Sequence, residues 1–335
     1  MQQRSDCATD CSNAREFWLL AAAWLVLFGS CVAGVTGAKA AVQGTGAAPA
    51  ADGLLLSLSA RRNVVLAVGE HGAIRRSTDG GVQWDNVASP TTAALTRVEL
   101  QPGGTAYAVG FDATILRSDD AGAHWRTVFM NDHADNPLFG VAQADSGAAL
   151  AVGGFGKVYR SADGVAWQPG SIAGAAEDLH LNALLRMTPK RWLIVGESAQ
   201  ILLSDDAGAQ WHALAVPGTG SLFGAVAWSA DRFAVFGLRG HIYATKDGGA
   251  HFQAVDAGTT AELLGGTVLR DGRAVLVGNR GTEVVVDADA SHAAAVPSTS
   301  RTNYADCVER EDGKLIVAGD TGIVLLDVPA PRGAP

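Results

Sequence analysis

Cysteine is nearly absent from the bulk of this 335-residue chain, and so is any surplus of positive charge. Cys7, Cys11 and Cys31 lie in the first forty residues, which leaves Cys307 alone in the remainder. A mature chain that begins after them has no intrachain disulfide and no cysteine-based metal site. The 25 Lys and Arg residues are outnumbered by 34 Asp and Glu, a net charge of −9. The leader carries Arg4, Arg15 and Lys39 against Asp6, Asp10 and Glu16, so its removal leaves that balance unchanged. Such a surface argues against nucleic acid and anionic lipid as main partners. Nucleophile motifs, phosphate loops and helical histidine pairs are missing as well. Gly153-Gly154-Phe155-Gly156 is glycine-rich, but it reads as a hairpin with no helix behind it, which excludes a nucleotide loop.

Long apolar runs are confined to one place. Arg4 and Arg15 precede the stretch from Phe17 to Val35, and Ala38-Lys39-Ala40 then offers small residues at the positions an export peptidase reads. This is the grammar of a signal peptide cleaved after Ala40, and it predicts a periplasmic protein. Two alternatives share the same residues. The run is long enough to stay as an inner-membrane anchor, and Leu27-Phe28-Gly29-Ser30-Cys31 is an imperfect lipoprotein box that would place a lipid on Cys31. Membrane contact is expected only through this segment, if it is uncleaved or lipidated.

What is present in abundance is glycine, 41 residues of it, and its placement is periodic. An apolar pair ending in glycine recurs at Gly69, Gly110, Gly153, Gly196, Gly237, Gly278 and Gly319, in steps of 41 to 43 residues. Fifteen residues before each stands the start of an apolar strand: Leu54, Leu95, Leu138, Leu181, Leu222, Leu263 and Tyr304. A period of this length, with short apolar runs between turn residues, predicts an all-β fold, a seven-bladed β-propeller with one four-stranded sheet per repeat. In the unit from Leu222 to Val255 the strands are expected at Leu222–Trp228, Arg232–Gly237, Gly240–Thr245 and His251–Val255. The domain layout is then leader 1–40, an Ala/Gly-rich linker 41–53, the propeller 54–328 and a Pro-rich tail 329–335. Small residues on the inner strands, as in Phe139-Gly140-Val141, Phe223-Gly224-Ala225 and Leu264-Gly265-Gly266, suit blades crowding a central channel. The seventh unit lacks an outer strand of its own, so either residues 41–50 supply one or that blade has three strands.

Between third and fourth strands runs the pattern Ser/Thr-x-Asp-x-Gly-x-x-aromatic. It carries Asp79 with Trp84, Asp120 with Trp125, Asp206 with Trp211 and Asp247 with Phe252. Asp163 and Trp167 form a version shorter by one residue, and in the sixth unit Ala288 and Ala293 replace the acid and the ring. The chemistry is that of a hairpin turn, in which the aspartate accepts backbone N–H groups, glycine takes a positive φ and the ring packs beneath. This pattern resembles the Asp-box, or BNR, repeat. Together with the Ala-Val-Gly strands behind an export signal, it is similar to the photosystem II stability/assembly factor family of BNR-type propellers, over roughly residues 54–328. The resemblance implies a non-catalytic scaffold that, in photosynthetic members, helps assemble the photosystem II reaction centre. It implies a membrane-protein complex or its assembly intermediates as partner, and no cofactor. The arginine-rich face associated with that family has no counterpart here, since Arg61, Arg75, Arg117, Arg160, Arg239 and Arg280 are scattered.

Loops joining strands two and three share a face with the blade-to-blade connections. The first set offers Glu70, His71, Phe111, Asp112, Phe155, Glu197, Arg239, Arg280 and Asp320, acids in blades 1, 2, 4 and 7 and arginines in 5 and 6. Such a polarised rim would orient a charged partner. Two adjacent connections are enlarged, and they carry Asp132, His133 and Asp135, and Glu177, Asp178 and His180. Loops that grow on a rigid scaffold are where recognition concentrates, so these six, with Arg239 and Arg280, are the candidate partner-binding residues, a contact ridge over blades two to four. The same acids and histidines are competent metal ligands, but no recognised ligand spacing joins them. The rival class is a sialidase-type glycoside hydrolase or a carbohydrate-binding propeller. Tyr107, Tyr159, Tyr243 and Tyr304 occupy ordinary strand positions, and only Trp192 and Trp228 fall outside both the leader and the repeat pattern, on what read as inner strands.

Overall fold

The computed structural model describes residues 53–131 and 136–330. Asp132, His133 and Asp135, the leader, the candidate closing strand 41–50 and the end of the tail lie outside the described residues.

The described chain forms seven antiparallel sheets in sequence order, six of four strands and a last one of three. Blade 5 matches the expected unit closely, with strands Leu222–Ala227, Phe233–Gly237, Ile242–Thr245 and Gln253–Val255. The second strand of each blade is apolar on both faces because neighbouring blades cover both sides. The core is accordingly not one mass but seven wedges, each between adjacent blades. One, for example, packs Leu66, Val68 and Ile74 of blade 1 against Val98, Leu100 and Leu116 of blade 2. Another packs Ile316, Ala318 and Ile323 of blade 7 against Leu55, Leu58 and Val65 of blade 1. That last wedge closes the ring.

The periodic glycine has a steric cause. In six blades it pairs with the residue fifteen positions earlier, as Leu95 with Gly110 and Tyr304 with Gly319. In blade 1 it pairs with Leu55, so that inner strand begins one residue later than expected, because a two-residue turn between Arg61 and Val64 shortens the hairpin. A methyl group on any of the seven would lie 1.8 to 2.3 Å from the carbonyl oxygen of the residue before the inner strand. That same carbonyl accepts the N–H of the residue after the glycine, at 2.8 to 3.2 Å in all seven blades. Close approach of two backbones, rather than an unusual φ, is what selects glycine here. Inner-strand glycines obey the same logic, since a methyl on Gly140 would lie 2.7 Å from the Leu184 backbone nitrogen of the next blade.

Blade 7 consists of Tyr304–Glu309, Lys314–Gly319 and Gly322–Asp327. Its inner strand is tied to blade 1 by a buried carboxylate. The Leu58 N–H and the Ser57 hydroxyl donate to Asp306 Oδ2 at 3.0 and 3.3 Å. Arg97 of blade 2 approaches the same oxygen at 3.5 Å and Glu99 at 3.0 Å. Three blades thus meet at one acid. Burial raises the Asp306 carboxyl above its ordinary value, against the pull of Arg97. Next to it, burial pushes the Cys307 thiol well up.

Candidate functional site

The Asp-box turns sit at the ends of the third strands, on the face where first and second strands also turn. Asp206 shows the geometry. Its Oδ1 accepts the Ser204 hydroxyl at 2.9 Å and the Gln210 N–H at 2.8 Å, while Ser204 Oγ accepts the Gly208 N–H at 2.9 Å. Trp211 Nε1 donates to the Gly208 carbonyl at 3.0 Å. Asp79 with Trp84 and Asp120 with Trp125 repeat this set, and Asp247 repeats it with Phe252, which has no N–H to give. Backbone N–H groups hold the carboxyls of Asp79, Asp163, Asp206 and Asp247 below the ordinary range, Asp247 at about 2. The His124 ring does the same for Asp120. In each turn it is Oδ1 that the hydroxyl and backbone N–H groups engage, and the lowered carboxyls stay ionised.

The short unit of blade 3 departs in one consequence. With one residue fewer, Trp167 enters the outer strand opposite Ser161, and its ring turns inward against Tyr107, edge to face at 6.1 Å. Its buried Nε1 has no hydrogen-bond partner among the described residues.

On the opposite face the second and third strands are joined by two-residue turns in which both central residues have positive φ. The pairs are His71-Gly72, Asp112-Ala113, Phe155-Gly156, Ser198-Ala199, Arg239-Gly240 and Arg280-Gly281, with φ between 47° and 72°. This is the signature of a type I′ turn, whose twist matches antiparallel strands. The first residue of each pair is exposed, so six blades aim six side chains of five kinds into solvent from a constrained backbone. Arg239 and Arg280 occupy this position in blades 5 and 6.

Three of the four rim acids are engaged in hydrogen bonds, while Asp112 stands exposed at its turn tip. Glu70 Oε1 accepts the Leu54 N–H at 3.3 Å, and Asp320 Oδ2 accepts the Asn303 N–H at 3.1 Å. Glu197 Oε2 accepts the His180 N–H at 2.8 Å and lies 3.0 Å from its Nδ1. All three clip the turn to the start of the inner strand of their own blade. His180, expected on an exposed loop, is therefore buried, with its ring 4.6 Å from Phe155 and 6.1 Å from Phe139. Glu177 and Asp178 do stand in solvent. Of the six ridge residues, the structure thus buries His180 beneath Phe155 and leaves Glu177 and Asp178 beside it. Phe139 and Phe155 are members of this cluster that sequence reasoning did not assign to it. The only advance sign was their place, one at the start of an inner strand and one at a turn tip.

All four tyrosines are buried inside blades, and Tyr107 donates its hydroxyl to the Gly164 carbonyl at 3.0 Å. Burial raises the Tyr107 and Tyr243 phenols. Trp192 proves to be on the second strand of blade 4 and fully buried, while Trp228 follows an inner strand and donates to the Gly272 carbonyl of the next blade at 2.6 Å. Trp192 thus offers no exposed face, and Trp228 is half-buried with the Arg232 guanidinium 5.8 Å from its ring centre. Asp287, Asp289 and His292, at the decayed sixth turn, bring three potential ligand atoms within 4.8 Å of one another, and Asp289 and His292 are exposed.

Comparison with known proteins agrees with this architecture. The structure is similar to YCF48 from Cyanidioschyzon merolae at 17% identity and a TM-score of 0.66, covering 84% of this chain and 97% of that one. It is similar to YCF48 bound to a D1 peptide at 19% identity and a TM-score of 0.50, covering 84% and 79%. A streptogramin B lyase structure matches at 11% identity and a TM-score of 0.70, covering 83% and 94%. At these identities the likeness is one of fold, shared between a binding protein and an enzyme. No family model and no curated protein sequence matches the chain.

Proposed function

We propose that this chain is an exported, non-catalytic propeller scaffold that holds a protein segment of a membrane complex or of its assembly intermediates. The observation that carries this reading is the division of labour between its faces. Tyrosines are buried inside the fold and Asp-box acids brace its turns, whereas the type I′ turns present a ring of exposed side chains of five kinds on a rigid frame. Similarity to YCF48, including YCF48 bound to a D1 peptide, supports an assembly role of the photosystem II type. The leader supports a periplasmic location, with an inner-membrane anchor or a lipid at Cys31 as the other ways of holding the propeller at the membrane.

The test is affinity capture of the full-length tagged protein from its own membranes, with the captured subunits identified by mass spectrometry. Replacement of residues 129–135 and 177–180 by Gly/Ser is expected to abolish capture of the membrane subunits. Turnover of a fluorogenic sialoside or other glycoside, lost on mutation of a central-face Glu, would overturn the scaffold reading in favour of the hydrolase.

A further inference from the structure

Among the six turn-tip residues only Phe155 is apolar, and half of its surface is in water. It sits at φ 53°, ψ 42° between Gly154 and Gly156, a left-handed conformation that favours glycine over an L-residue. Blades 1, 2, 4, 5 and 6 place polar His71, Asp112, Ser198, Arg239 and Arg280 there, side chains that water solvates readily. Phe155 is neither swallowed by the core nor loose. One side of its ring rests on His180, which Glu197 fixes through Nδ1, and Phe139 backs the imidazole from behind. The result is a rigid aromatic surface with an open side.

The enlarged connection from blade 3 to blade 4 is built against this spot. Gly156 N–H donates to the Leu179 carbonyl at 2.7 Å, and a methyl on Gly156 would lie 3.0 Å from Glu177 Cα and 2.9 Å from the Ala176 carbonyl. The longer loop therefore brings Glu177 and Asp178, both exposed, to the edge of the aromatic surface. No hydrogen bond or ion pair engages either carboxylate among the described residues. Lys157, exposed two residues from Phe155, is the cation nearest in sequence, and the two carboxylates outnumber it, in a chain of net charge −9.

We infer that this spot docks a lysine- or arginine-bearing extended segment of the partner protein. The cation lies over the open face of Phe155, and Glu177 and Asp178 neutralise it. An aromatic face attracts a cation through its quadrupole, most strongly where the pair is desolvated. Adjacent carboxylates add charge complementarity, which governs selectivity and encounter rate more than bulk affinity. This inference rests on the scaffold reading and specifies the chemistry of its partner.

The test uses the full chain and two fluorescein-labelled twelve-residue peptides, one with Lys flanking a central Leu and one with Glu in the same places. Fluorescence anisotropy at low salt is expected to show saturable binding of the Lys peptide only. Phe155→Ala should weaken it about fivefold to thirtyfold, the range a desolvated cation–π contact represents, and Phe155→Tyr should restore it. Glu177→Gln with Asp178→Asn should weaken it similarly and flatten its salt dependence. Unchanged melting temperatures keep these losses at the surface. No binding of the Lys peptide, equal binding of the Glu peptide or of a neutral Leu peptide, or insensitivity to both variants would overturn the inference. Capture of membrane subunits by the Phe155→Ala protein at wild-type yield would remove this site and leave the scaffold reading standing. Absence of capture by the wild type would remove the scaffold reading, while the peptide titration still decides the charge preference.

Discussion

Replacing Gly278 by alanine adds one methyl group in a backbone that alanine can adopt, since φ is −169° and ψ −158°. Any cost is therefore steric. The new carbon would lie 1.8 Å from the Glu262 carbonyl oxygen and 2.8 Å from its carbon, both backbone atoms with no rotamer to yield. Restoring ordinary contact needs a displacement of about 1.5 Å between the inner and second strands of blade 6. That movement strains the Asn279 N–H bond to Glu262 O, now 3.1 Å, and the Leu263 pairing with Gly278. Overpacking of about 1–3 kcal/mol and one or two weakened hydrogen bonds at about 1 kcal/mol each give a loss near 4 kcal/mol. For a domain of this size that is a fall in Tm of roughly 10 °C. Two controls separate sterics from conformation. Gly80 has φ +75° and nothing within 4 Å, so its alanine variant should lose only about 1–2 kcal/mol of left-handed strain. Gly103 has open space and no positive φ, so Gly103→Ala should be neutral or slightly stabilising. Urea titrations followed by tryptophan fluorescence read the order directly. Gly278→Ala within 1 kcal/mol of Gly103→Ala would refute the close-approach account of the repeat.

Trp211→Phe removes a hydrogen bond to Gly208 O and should cost about 1–2 kcal/mol, whereas Trp167→Phe removes a buried N–H that has no described partner and should cost less; the reverse order in denaturant melts would contradict the turn geometry. The five Asp-box carboxyls have native values below the ordinary 3.8, so their contribution is complete above that pH and lost as pH falls toward about 2. Asp306 has the opposite sign, because a raised native value means that its contribution is full at low pH and is lost as pH rises through that value. The urea midpoint should therefore drop between pH 4 and pH 2, and Asp247→Asn should lessen the drop; a flat profile would count against the turns. Cys307 is 1% exposed with its thiol pushed well up, so a thiol reagent should label Cys307 only at the rate of unfolding, read by peptide mapping, and prompt labelling at that residue would contradict its burial.

The period, the blade count and the Asp-box chemistry were legible in the sequence because each is a local pattern written several times. A glycine at a fixed step and an aspartate two residues after a serine need no distant partner to be recognised. What stayed hidden depends on groups far apart in the chain. Nothing local distinguishes Glu197, which clips His180, from an acid free to meet a partner, because the clip spans 17 residues and folds back on its own blade. Asp306 reads as an ordinary strand residue until blade 1 arrives beside it. Phe155 was visible as a turn residue, but its support by His180 depends on the extra length of a connection whose path no pattern specifies.

The bond between Leu58 and Asp306 spans 248 residues of chain. A ribosome delivering this protein from its N-terminus must therefore release almost the whole polypeptide before the circle can be completed. Until then Leu55, Leu58 and Val65 on the leading flank have no mate, and the growing arc carries a sticky end. The final sector thus acts as the clasp that commits the molecule to its closed form.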